Sequence, residues 1–141
     1  MNSNLRERLR RIVRILVVIA MVAVGITHFT NPDPFVRIMP AFLPAKLELV
    51  WLSGAIEIGL GLLLLPKPTR RLASFGLVLL FLAVFPANIN MAINQVQLNP
   101  ESPLPVWAMW ARLPFQLLFI VAALFVGRDG RPEPPPQSQP R

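Results

Sequence analysis

The chain has no cysteine. That one absence removes disulfides, thiolate catalysis, iron–sulfur ligation and cysteine-based zinc sites together. A single histidine, His28, rules out a bis-histidine haem or a multi-histidine metal centre within one copy, so no metal is expected. Any redox chemistry has to use a borrowed cofactor, a partner or a bound quinone. Acidic residues are scarce as well: 7 Asp+Glu stand against 14 Lys+Arg, for a net charge of +7. Charged residues are only 15% of the chain, where a soluble domain has about a quarter.

What is abundant is apolar. Of the 141 residues 54% are hydrophobic, and the mean hydropathy is +0.54. A basic excess can mark a nucleic-acid binder, but such proteins carry Lys and Arg on a face of a soluble fold. Here the Arg residues punctuate long apolar runs. The chain reads as an integral membrane protein whose partner is the lipid bilayer, with no nucleic acid.

Four stretches approach the roughly 20 apolar residues that a bilayer-spanning helix needs: 12–29, 47–65, 72–93 and 106–126. None alternates like a strand, and in lipid such segments satisfy their backbone only as helices. The fold expected is therefore an all-α membrane protein, four transmembrane helices packed as an antiparallel bundle. A basic N-tail (1–11) precedes the four-span domain (12–126), and a Pro-rich tail (127–141) with the composition of disorder follows it. The first stretch is long and ends in Thr27-His28-Phe29 without an A-x-A site. A retained span is thus expected rather than a cleaved signal peptide.

Orientation follows from the basic residues. With the N-terminus inside, Arg6, Arg8, Arg10, Arg11, Arg14, Lys67, Arg70, Arg71, Arg128, Arg131 and Arg141 are cytoplasmic, which leaves Arg37, Lys46 and Arg112 on or near the outer side. Trp51, Trp107 and Trp110 then fall at the outer interface, as an aromatic belt does. Both termini are cytoplasmic, N-in/C-in. Pro66-Lys67-Pro68 makes a tight inner turn, while the outer loop 31–44 is too apolar to be solvated and is expected to pack over the bundle.

Polar groups at membrane depth are functional candidates by default. At 1.5 Å per residue, Glu57 lies ~15 Å from the outer side, and His28 and Asn88 lie ~24 Å above the inner side. Arg112 and Gln116 lie about 9 and 15 Å below the outer end of the fourth span. Each span thus adds a polar group to one layer in the outer half. Ser53, Glu57 and Gly61 share a helix face, which turns Glu57 toward another helix. Pro86 and Pro114 are expected to kink the third and fourth spans beside Asn88 and Arg112. Glu57 and Arg112, the only opposite charges in the layer, are expected to pair. Two readings fit: a polar pocket, or an ion pair with hydrogen bonds that fixes packing.

Particular strings carry a family likeness. Gly25-Ile26-Thr27-His28-Phe29 with Phe35-Val36-Arg37-Ile38-Met39-Pro40, Ser53-Gly54-Ala55-Ile56-Glu57-Ile58-Gly59-Leu60-Gly61, Phe85-Pro86-Ala87-Asn88-Ile89, and Trp110-Ala111-Arg112-Leu113-Pro114-Phe115-Gln116 occur in that order. Together they resemble the four spans of DoxX-like membrane proteins, over about Val24 to Ala123. The resemblance implies a multi-pass protein of the bacterial plasma (inner) membrane, similar to the small membrane subunit of a thiosulfate:quinone oxidoreductase. It points to His28, Glu57, Asn88, Arg112 and Gln116, the set that depth selects. The expectation is an accessory or quinone-interacting subunit of a membrane oxidoreductase system, partnered by oxidoreductase subunits or a second copy. A small proton-coupled transporter and a non-catalytic membrane scaffold are the alternatives. A thiol-exchange role conflicts with the absence of cysteine.

Overall fold

The computed structural model describes residues 3–128. Among them are five helices and no strand: α1 (Ser3–Thr30), α2 (Asp33–Ile38), α3 (Lys46–Leu63), α4 (Lys67–Asn94) and α5 (Val106–Gly127). The Pro-rich tail, with the disorder expected of it, lies outside the described residues apart from its first two positions. Helices α1, α4 and α5 are long and apolar enough to cross a membrane. Helix α3 is shorter, 18 residues, and carries Lys46, Glu48 and Glu57, so by composition it stands apart from those three.

Proline sets most of the boundaries. Pro32, Pro66 and Pro105 occupy the N-cap positions of α2, α4 and α5, and Pro34 and Pro68 sit in the first turns of α2 and α4. Those are positions where the missing N–H has no intrahelical partner to lose. Pro86 and Pro114 lie inside continuous helices. At its other end α1 departs from the expected boundary: the helix starts at Ser3 and does not break at Ile12. Residues 3–24 contain neither Gly nor Pro, and the stretch before Ile12 carries four Arg and two Leu, which are strong helix formers.

Each long helix packs on two others. Helix α1 touches α3 and α5, and α4 touches α3 and α5, which leaves α3 and α5 diagonal across the bundle. Contacts between α4 and α5 run in opposite senses along the two helices, from Ser74–Ala123 to Asn88–Gln116, so the pair is antiparallel. At the short connection between α3 and α4, Arg70 donates from Nε to the Leu64 carbonyl (3.0 Å) and from Nη2 to the Leu65 carbonyl (2.7 Å). Thr69 Oγ1 donates to the Leu63 carbonyl (2.7 Å). The last carbonyls of α3, which have no helical partner, are satisfied by the first turn of α4.

Two apolar clusters hold the bundle. The larger joins Val17, Val18, Met21, Leu64, Ala73, Leu77, Phe81, Ala123 and Val126; the smaller joins Ile38, Met91 and Met109 beneath α2. The outer surface is just as apolar. Leu72 is 74% exposed and Trp107 73%, among many large side chains pointing outward. A surface like that matches hydrocarbon and not water. Where lipid surrounds the helices, burial of apolar side chains between them gains little transfer energy. Close packing and hydrogen bonds then supply the cohesion.

Candidate functional site

A close approach of two helices builds one wall of the site. A Cβ placed on Gly54 would lie 2.6 Å from His28 Cβ and 3.0 Å from the Gly25 carbonyl oxygen, so only glycine lets α1 and α3 come this near. His28 therefore lies across Gly54, and its Nδ1 comes within 3.5 Å of Glu57 Oε2, one turn further along α3. The approach is an ion-pair distance without hydrogen-bond geometry, since His28 Nδ1 has no hydrogen-bond partner. Both side chains are buried. The Phe35 ring of α2 stands edge-on to the imidazole, 4.0 Å between centroids.

On the opposite wall, Asn88 Nδ2 donates to Gln116 Oε1 (2.5 Å), and Gln116 Nε2 donates to the Phe81 carbonyl. Pro86 cannot donate to the Leu82 carbonyl, so the backbone that Gln116 reaches borders an interrupted helical ladder. Arg112 lies one turn before Gln116 on α5, and its Nε is buried without a hydrogen-bond partner.

Between these walls is a cavity of about 720 Å³. His28, Glu57, Asn88, Arg112 and Gln116 all line it, with Phe35, Ile38 and Met39 from α2 and the residue after it. The remaining lining is largely apolar, including Met21, Val50, Leu80, Phe81 and Phe119. A volume of this size, mostly apolar and with a few convergent polar groups, suits a small organic ligand. Among the described residues no cluster of side chains suits a metal ion.

The expected Glu57–Arg112 pair does not form. Glu57 meets His28, and no ion pair joins Arg112 to a carboxylate among the described residues. Matched depth put the two charges on one level, but α3 and α5 are diagonal and the cavity separates them. Helix rotation and neighbour order decide partners, and neither is readable from depth.

Sequence reasoning missed two contributors. Asn90, two residues beyond Asn88 on α4, reaches α2: its Nδ2 donates to the Ile38 carbonyl (2.8 Å) and ties α2 to α4. Phe35 belongs to the apolar loop between the first two expected spans, and its ring stands edge-on to His28. The signal available for both was the apolar character of loop 31–44, of which α2 packs on α3 and α4 while Phe42 beyond it is 81% exposed.

Fold and site together define an all-helical protein with three membrane-length apolar helices and a largely apolar cavity edged by a few polar groups. The chain belongs to the family described as domain of unknown function DUF8561, whose model matches residues 17–127. No curated protein and no solved structure matches it.

Proposed function

We propose that this is a four-span protein of the bacterial inner membrane, N-in/C-in, whose cavity binds the headgroup of a quinone as an accessory subunit of a membrane oxidoreductase system. The observation that carries the reading is Arg112: a guanidinium nitrogen buried at a cavity wall with no protein acceptor. A buried donor without a partner costs ~1–3 kcal/mol, more when charged, and a ligand oxygen removes that cost. A quinone supplies two such oxygens on a flat apolar ring, which fits a cavity walled mainly by Leu, Phe, Val and Met. The His28–Glu57 pair stands ready to hold or pass a proton when the ligand is reduced.

Helix α3 completes the four spans in this reading. Its 18 residues rise about 27 Å, close to a ~30 Å hydrocarbon core. Lys46 and Glu48 fall in its first turn, at the interface, and Glu57 faces the bundle. The resemblance to DoxX-like proteins supports the same function, with oxidoreductase subunits or a second copy as partners. A proton-coupled carrier would draw on the same His28–Glu57 pair. The test is purification in lipid nanodiscs without detergent exchange, followed by extraction and mass spectrometry. Near-stoichiometric quinone is expected; quinone at no more than its level in empty discs from the same membrane refutes the reading.

A further inference from the structure

Close helix contacts shut part of the cavity's edge, although the lining residues Val24 of α1 and Phe115 of α5 are 41% and 59% exposed. The α1–α3 seam is shut by Gly25 against Gly54, and the α4–α5 seam by Asn88–Gln116 and Ser74–Ala123. Over the end of the bundle lies α2, with Phe35 on His28 and the Ile38 carbonyl held by Asn90. Ile38 is itself buried against Met91 and Met109. Access from the aqueous phase above α2 is therefore roofed.

The α3–α4 seam differs along its length. Near the short connection the two helices touch, since a Cβ on Gly76 would lie 2.7 Å from Leu60 Cδ2. From that contact, helical spacing carries Leu60, Ile56 and Leu52 up one side and Gly76, Leu80 and Ala83 up the other. At Leu52, Ile56, Leu80 and Ala83 these facing stripes line the cavity. Leu52 is nevertheless 56% exposed and Ile56 41%. The same side chains border the cavity and the outer surface, so the cavity runs out between α3 and α4 through a wholly apolar gap.

We infer that this gap is a lateral portal: the ligand arrives from within the bilayer, seats its polar head against Arg112, and leaves an isoprenoid chain trailing between α3 and α4 into the lipid. The inference rests on the quinone reading and narrows it to chain-bearing, membrane-dissolved quinones. A hydrocarbon chain in the gap covers Leu52, Ile56 and Leu80 with groups of like polarity, whereas a water-soluble substrate would have to cross the α2 roof or the lipid.

The portal is tested by binding kinetics in nanodiscs with two probes, a decyl-chain benzoquinone and the same headgroup without its chain. Ala83→Trp places bulk at the seam on an exposed position; Val24→Trp places equal bulk on α1, at another exposed edge of the cavity. Ala83→Trp is expected to slow association of the chain-bearing probe by about tenfold or more, within the range that on-rates span among mutants of one site. Val24→Trp leaves that rate unchanged, and the chainless probe keeps its affinity in both. Slowing by Val24→Trp alone, or by neither, overturns the portal while leaving the quinone site standing. Failure of the unsubstituted protein to bind either probe overturns the quinone reading and the portal with it. A diazirine on the probe's chain gives a measurement that needs no variant. Labelling is expected on Leu52, Ile56, Leu80 or Ala83, and labelling confined to α1 or α5 refutes the portal.

Discussion

Two glycines five residues apart on α3 predict opposite outcomes for one substitution. At Gly54 an added methyl would sit 2.6 Å from His28 Cβ, 2.9 Å from His28 Nδ1 and 3.0 Å from the Gly25 carbonyl. Carbon atoms rest at about 3.5–4.0 Å, so α1 and α3 must part by roughly 1 Å or His28 must swing away. Either response strains a closely packed interface, and overpacking of this kind costs ~1–3 kcal/mol. At Gly59 the same methyl meets nothing within 4 Å. There the substitution only exchanges glycine for the best helix former, a gain of up to ~1 kcal/mol. Gly54→Ala is thus expected to lower stability by about 1–3 kcal/mol and Gly59→Ala to raise it slightly, read as unfolding midpoints in mild detergent. Because His28 is the neighbour displaced, Gly54→Ala also weakens ligand binding while Gly59→Ala does not. Equal stabilities for the two variants would refute the claim that glycine sets the α1–α3 distance.

Further expectations follow from the same contacts. Gln116→Leu strands Asn88 Nδ2 in a half-buried position and should cost ~1–3 kcal/mol, whereas Asn88→Leu with Gln116→Leu should cost less than the two single changes added together, since both partners then go; a double-mutant cycle in detergent measures this, and additivity counts against the pair. His28→Leu and Glu57→Leu are expected to be non-additive in the same assay, and Glu57→Leu combined with Arg112→Leu additive, because Glu57 faces His28. Compartment reporters fused after Asn99 and at the C-terminus should report opposite sides of the membrane; matching reports would contradict the four-span arrangement.

Much of the architecture is legible in the sequence because lipid leaves the backbone few options. Apolar runs of membrane length become helices, and the helices observed end within a few residues of the expected spans, apart from the start of α1. Composition alone could not show that Asp33–Ile38 folds into a helix. The apolar side chains of the loop said that it packs, and Asn90 and Phe35 supply the contacts that fix where. The polar layer was legible in depth, since rise per residue is a constant, and all five expected residues reach one cavity. Partnership was not legible. Glu57 and Arg112 share a level, but the order of helices around the bundle puts His28 beside Glu57 and leaves Arg112 across the cavity. The Gly25–Gly54 approach that makes this so depends on how two helices rotate against each other, which one small-residue stripe suggests but does not fix.

The central claim is that the cavity is a ligand site and that Arg112 serves the ligand rather than the fold. Arg112→Leu separates these roles, provided that affinity for a short-chain benzoquinone in nanodiscs is measured beside the melting temperature. A guanidinium nitrogen buried without a partner contributes nothing to stability that an apolar side chain of similar size cannot match or exceed. Its hydrogen bond to a ligand oxygen, by contrast, is worth ~1.5–3 kcal/mol, or roughly 10- to 100-fold in affinity. The account predicts that Arg112→Leu melts at the same temperature or higher and binds the quinone at least about tenfold more weakly. A variant that melts well below the parent and keeps its affinity would contradict it.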